Sequence, residues 1–163
     1  DHGREEIWGN GFSCHMCLLR PESRGTASIS SKNPMEDPVI DPNYLSNKND
    51  LKTMIEGYKK MMQIMNTAPL DQFNNVRNPV NLKDDKSIES AIRARADTIY
   101  HPVGTCKMGN DEMSVVDSNL LVRGTKNLRV VDASIMPTLV GGNTNAPTIM
   151  IAEKIADNIK GIS

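Results

Sequence analysis

"SNKNDLKTMIEGYKKMMQIMNTAPL", residues 46–70, is where the chain changes its hydrophobic period, and that change decides the fold class. Leu51, Met54, Ile55, Tyr58, Met61, Met62 and Met65 recur at helical spacing, with Asn49 or Asp50 near the start and Pro69 beyond the end. They predict a helix with one buried stripe, whose methionines are core rather than a soft binding groove. The preceding "FSCHMCLLRPESRGTASISS" (12–31) keeps period two instead: Phe12, Cys14, Met16 and Leu18 share one parity, and Thr26, Ser28 and Ser30 alternate with Ala27 and Ile29. With Pro21 and Gly25 as punctuation it reads as two strands of a hairpin in an antiparallel sheet. "KNPMEDPVIDPNYL" (32–45) carries three prolines, each without a ladder N–H, and is expected to be an extended surface connection.

Beyond the helix, the polar stretch from Asn74 to Asp85 reads as a loop. A second helix is expected from about Ser87 to Arg95, with Asp84 or Asp85 supplying an oxygen to its free N–H groups. From Ser114 onward, two short β segments flank Gly124, the second being Leu128 to Val131. A third helix is expected to begin near Thr148 and stop at Gly161 as a C-cap. Its apolar residues Ile149, Ile151, Ala152, Ile155, Ala156 and Ile159 cover a wide face, which predicts burial against a sheet. The class is α+β.

Composition narrows the function. At 163 residues the chain can bury one real core, and its formal net charge of −1 with scattered Lys and Arg gives no basic stripe for a phosphate backbone, so no nucleic-acid partner is expected. No run approaches the roughly 18 apolar residues that span a bilayer. The opening "DHGREEIWGNG" has no initiator Met and no apolar leader core, and is expected to come from a chain cut out of something longer. Three cysteines, an odd number, fit a reducing compartment, so the expected location is cytoplasmic.

Three stretches offer chemistry. "CHMC" (14–17) matches a zinc half-site or redox pair, but Cys14 and Cys17 on an extended strand point to opposite faces, so they are expected to be ordinary buried or half-buried cysteines, with no metal bound. Cys106 lies five residues after His101, with no sequence feature that marks it as an activated nucleophile. His2 near the terminus and His15 in a sheet need no role. In "HPVGTCKMG" (101–109), Pro102 pushes His101 out of the α region and so to an element boundary. "GGNTNAP" (141–147) adds flexible backbone and unpaired N–H groups at a helix start, suited to an anion or a polarised ring edge. A histidine in one loop and a polar group in the other can converge on a single substrate oxygen; the alternative is a histidine that only satisfies backbone groups.

"YHPVGTCKMG" (100–109), "VVDSNLLVRGTKNLRVVDASIMP" (115–137) and "GGNTNAPTIMIAEKIAD" (141–157), in that order, resemble the C-terminal signature of the glucose–methanol–choline (GMC) oxidoreductases, flavoenzymes that oxidise alcohols. "CLLRPESRGTASISSKNPMEDPVIDPNYLSNKNDL" (17–51) resembles the same family's substrate domain, and the nearest branch is that of bacterial choline dehydrogenases and acceptor-dependent alcohol dehydrogenases. The resemblance implies a substrate-binding portion over 1–113, an antiparallel sheet with flanking helices that includes the His101 loop. It implies a C-terminal strand and helix over 114–163 that return to an FAD-binding domain. The family's N-terminal G-x-G-x-x-G is absent, which implies the C-terminal portion of a larger enzyme, inert by itself.

The resemblance also implies roles. His101 corresponds to the catalytic base for the substrate hydroxyl, and Asn145 to its partner, an amide that hydrogen-bonds the alkoxide but takes no proton. Asp132 and Ala133 correspond to positions near the FAD pyrophosphate and ribityl chain, and Thr144, Asn145, Pro147 and Thr148 to the segment lining the flavin ring. The implied reaction is oxidation of a primary alcohol, choline or an aliphatic or aromatic alcohol, to an aldehyde by hydride transfer to flavin N5, with a quinone or oxygen as electron acceptor. Quinone-linked members imply a membrane-associated parent, and an exposed C-terminal helix implies self-association. Two other classes remain open: a small zinc or redox protein using Cys14, Cys17, Cys106 and His101, and a non-catalytic interaction domain. Hydroxynitrile-lyase chemistry, also found in the family, is favoured by nothing in the residues.

Overall fold

A computed structural model describes residues 12–73 and 80–161, so His2 and much of the expected 74–85 loop lie outside the described residues. Two compact units emerge. One gathers 12–18, Glu22–Arg24 and Asn43–Thr98; the other gathers Leu19–Pro21, Gly25–Pro42 and 99–161. Among the described residues, a two-stranded antiparallel sheet and four α-helices make up the regular structure, in keeping with the α+β class.

In the first unit, helix α1 runs Lys48–Met65 and starts earlier than Asn49 or Asp50, because Asn47 is its cap: the Asn47 side-chain oxygen accepts from Asn49 N at 2.8 Å. The apolar stripe from Leu51 to Met65 is half-buried, and the one fully buried residue of α1 is a charged one, Asp50. Pro69 does not merely follow the helix. It lies in the first turn of a short helix α2 (Ala68–Asp71), where a missing N–H costs no hydrogen bond. Helix α3 spans Asp85–Arg95, two residues earlier than Ser87, because Asp84 is the cap and accepts from Lys86 N at 3.1 Å. Leu45, Ile88 and Ile92 form the core of this unit, with Met16, Leu18, Met54, Ile55 and Tyr58 against them. Ile88 is fully buried, and that burial is worth about 1.5–3 kcal/mol.

The hairpin expected over 12–31 is corrected. Residues 12–18 form no strand; β1 (Thr26–Ser28) pairs antiparallel with β2 (Val39–Asp41), in the register Thr26 to Asp41, Ala27 to Ile40 and Ser28 to Val39. The prolines explain the error. Pro38 and Pro42 stand immediately outside β2, so they delimit a three-residue strand rather than forbid one. Gly25 is required beside it, since a Cβ there would lie 2.0 Å from the Asp41 carbonyl oxygen. The expected strand cysteines are corrected too: Cys14 and Cys17 are free and exposed.

The rest of the second unit is mostly loop. The two β segments around Gly124 are realised as isolated bridges, Val116 with Val122 and Leu121 with Arg129, joined by a parallel bridge from Met108 to Val116. Val116, Leu120, Ile135 and Ile155 make its core. Helix α4 runs Asn145–Lys160, three residues earlier than the expected start at Thr148; Pro147 takes the third position, whose N–H would have no helical partner. Gly161 caps it in the left-handed conformation, φ 68°, as its sequence predicts. The expected burial of α4 against a sheet is not found. Ile155 is buried and Ile151 half-buried, but Ile149, Met150 and Ile159 are exposed.

Candidate active site at the N-terminus of helix α4

His101 lies between two backbone constraints. Tyr100 before it is left-handed, φ 65°, a conformation that costs a non-glycine residue on the order of 1 kcal/mol, and Pro102 after it excludes the α region. Gly104, at φ 88°, lets the chain turn back, and Lys107 N bonds the Gly104 carbonyl at 3.2 Å. Cys106 N then donates to the Ser134 carbonyl at 3.1 Å, Met108 N to Ile135 O at 2.8 Å and Gly109 N to Val116 O at 3.2 Å. The loop 101–109 is thereby laid along residues 134–135 by its backbone.

Asp132 begins that second segment. Its Oδ1 accepts from Ser134 N at 2.8 Å and from Ser134 Oγ at 2.5 Å, capping a single 3-10 turn, Ala133–Ile135. Ala133 is half-buried and Ile135 fully buried, so the turn is anchored from its inner side.

The His101 ring meets the third segment. Its Nδ1 lies 2.9 Å from Thr144 Oγ1, and Thr144 is the residue from which α4 starts. Asn145, expected as the partner of the histidine, follows directly and is exposed; the bonded partner of the ring is Thr144. Thr148 holds the same turn from below, through Thr148 N to Thr144 O at 3.0 Å and Thr148 Oγ1 to Thr144 O at 2.7 Å. Thr144 makes no side-chain cap bond, which leaves the N–H groups of Asn145 and Ala146 to a partner outside the helix. Upstream, the Arg20 guanidinium rests on Gly141, where a Cβ would come within 3.1 Å of Nη2. Neither Arg20 nor the Thr144 hydroxyl stands out in the sequence. A threonine before a helix reads as a cap, and Arg20 has no local pattern around it.

Two further groups are structural. Asp111 accepts from Lys107 Nζ at 2.9 and 3.0 Å and from Ser114 Oγ at 2.8 Å; the Lys107 bond, then the Ser114 bond, hold its pKa at about 2. Asp50, 3 % exposed, takes bonds from Glu22 and Ser23. Among the described residues, no cluster of three or more His, Cys, Asp or Glu is arranged to hold a metal. No helix among them is long and apolar enough to cross a membrane.

What the site can do follows from its donor set. A half-buried imidazole fixed at Nδ1 has Nε2 left to exchange a proton. An exposed carboxamide and two first-turn N–H groups beside it can hold the polar edge of a flat ring or an oxyanion.

Residues 21–152 match the GMC oxidoreductase family model. The chain is 55% identical over 162 residues to an alcohol dehydrogenase [acceptor] of Pseudomonas putida and 44% identical over 162 residues to an oxygen-dependent choline dehydrogenase of Cronobacter sakazakii; each alignment covers 98% of this chain and 29% of the relative. The chain thus spans less than a third of the length of these relatives. Its fold superposes with a TM-score of 0.81 and 30% identity on a variant of Aspergillus oryzae RIB40 formate oxidase, studied for its FAD modification, over 88% of this chain and 26% of that one. With the family model matched along most of its length and the His101 and Thr144 segments joined in one site, the chain belongs to the GMC oxidoreductase family.

Proposed function

We propose that this chain is the C-terminal part of an FAD-dependent enzyme that oxidises a primary alcohol to an aldehyde. The observation that carries it is the seating of the His101 ring against the start of α4, beside Asn145. The residues present fit a flavin: the Asn145 carboxamide and the first-turn N–H groups of Asn145 and Ala146 suit a ring edge, Thr144, Pro147 and Thr148 shape the turn that presents them, and exposed Ile149 and Met150 offer apolar area nearby. Asp132 and Ala133 suit the ribityl side of the cofactor. A carboxylate repels phosphate, so Asp132 is better matched to a ribityl hydroxyl than to the pyrophosphate.

When bound, the flavin supplies the acceptor for the hydride leaving the alcohol carbon. His101 Nε2 takes the hydroxyl proton, and the neutral Asn145 amide donates to the oxygen as negative charge develops there. The alcohol is choline or an aliphatic or aromatic primary alcohol, and the electrons pass on to a quinone or to oxygen.

The test is His101→Ala in the full-length protein that carries this segment. Flavin reduction by substrate is expected to slow by roughly a hundredfold or more while FAD content is retained. Unchanged reduction sinks the assignment.

A further inference from the structure

We propose that Thr144 is a positioning residue for His101: it accepts the Nδ1–H of the ring and so fixes the tautomer that leaves Nε2 free to take the substrate proton. The inference rests on the reading of His101 as the base.

Three observations converge. First, the Nδ1 to Oγ1 distance of 2.9 Å is a full hydrogen bond, and Thr144 is only 9% exposed, so water competes weakly for it. Second, Thr144 occupies the N-cap position of α4 without doing a cap's work. Its backbone is helical, φ −88° and ψ −9°, and its hydroxyl bonds no N–H of the first turn. A threonine that gives up the bond which usually favours it there is turned toward another partner, and that partner is His101. Third, Tyr100 and Pro102 restrict the main chain on either side of His101, leaving the ring torsions and the tautomer as the remaining freedoms.

The hydrogen bond at one ring nitrogen decides what the other can do. With Nδ1–H donating to Oγ1, Nε2 carries a lone pair and is a base. Once Nε2 is protonated, Nδ1–H still donates to the same oxygen, so no partner must rearrange during the step. The reverse arrangement, hydroxyl donating to Nδ1, would place the hydrogen on Nε2 and remove the base.

The experiment uses the full-length flavin-loaded protein with 15N-labelled histidine. Two-bond nitrogen–proton correlations of His101 are read in the wild type, Thr144→Ser and Thr144→Val, alongside stopped-flow flavin reduction in these variants, in His101→Gln and in the Thr144→Val/His101→Gln double variant. The expected result is an Nδ1–H ring in the wild type and in Thr144→Ser, lost in Thr144→Val. Reduction is expected to slow roughly ten- to a hundredfold in Thr144→Val, to recover most of its rate in Thr144→Ser, and to show no further loss when Thr144→Val is added to His101→Gln. An Nε2–H ring in the wild type overturns the proposal, as does an additive loss in the double variant, which would mean Thr144 acts on the flavin directly. Normal reduction in His101→Gln overturns the underlying base reading instead, whatever Thr144→Val does.

Discussion

Replacing Asp50 with Asn keeps the shape of a buried side chain and removes only its charge and half its acceptor capacity. Asp50 Oδ1 accepts from Glu22 N at 2.9 Å; Oδ2 accepts from Glu22 N at 3.1 Å, Ser23 N at 2.7 Å and Ser23 Oγ at 2.5 Å. Ser23 Oγ in turn accepts from Asn47 N at 3.0 Å, so the carboxylate ties residues 22–23 to the start of α1. An Asn oxygen can occupy only one of the two positions, and the amide hydrogens then face the Glu22 N–H. Three donors lose a charged acceptor, and a hydrogen bond to a charged group is worth about 1.5–3 kcal/mol against about 1 for a neutral one. Relief of the carboxylate's desolvation offsets part of this, so Asp50→Asn is expected to cost about 2–3 kcal/mol in urea unfolding at pH 7, and Asp50→Ala about 3–5. Burial pushes the Asp50 carboxyl up, but the bonds from Glu22 N, Ser23 Oγ and Ser23 N, helped by Arg24, outweigh it and leave the pKa below 3.8. A lowered folded pKa means stability fully present above the unfolded value and lost as pH falls through the folded one. The gap between wild type and Asp50→Asn should therefore be constant above about pH 5 and shrink steadily below about pH 4. Hydrogen exchange supplies the local check, since the Glu22 and Ser23 amides should lose protection. A cost under about 0.5 kcal/mol with those amides still protected would refute the reasoning.

Two further outcomes follow from contacts elsewhere. Gly25→Ala drives a Cβ into the Asp41 carbonyl and is expected to open the β1–β2 ribbon locally; the cost is capped by what a two-stranded ribbon contributes, about 1–2 kcal/mol, and shows as lost amide protection in residues 26–28. Lys107→Met removes the largest contribution to the Asp111 shift, so the Asp111 carboxyl should titrate well above its present value of about 2, as followed by carbonyl NMR.

The helices were legible because their signals are local. Asp84, the stripe from Leu51 to Met65 and Gly161 each declare an element through neighbours within a turn or two. The ribbon was not, because β1 finds its partner beyond two prolines that a local reading counts against a strand. The wide apolar face of α4 misled for a related reason: periodicity says that a face is apolar, not what lies against it, and here Ile149, Met150 and Ile159 stay open. Of the site, the boundary position of His101 was readable from Pro102, the start of α4 was placed three residues late, and the family resemblance supplied Asp132 and Asn145. The bond between His101 and Thr144 spans 43 positions, and a threonine's choice between capping a helix and holding a ring is made by tertiary structure alone.

The ribbon bears on behaviour beyond the folded molecule. Ile29, Met35, Val39 and Ile40 are exposed on or beside it, an apolar edge that would ordinarily invite another chain to add a strand. Pro38 and Pro42 bracket β2 so closely that any incoming strand could align along three residues before meeting a position without an N–H. The same prolines that hid the strand act as gatekeepers, keeping a greasy surface from seeding cross-β growth while the chain folds.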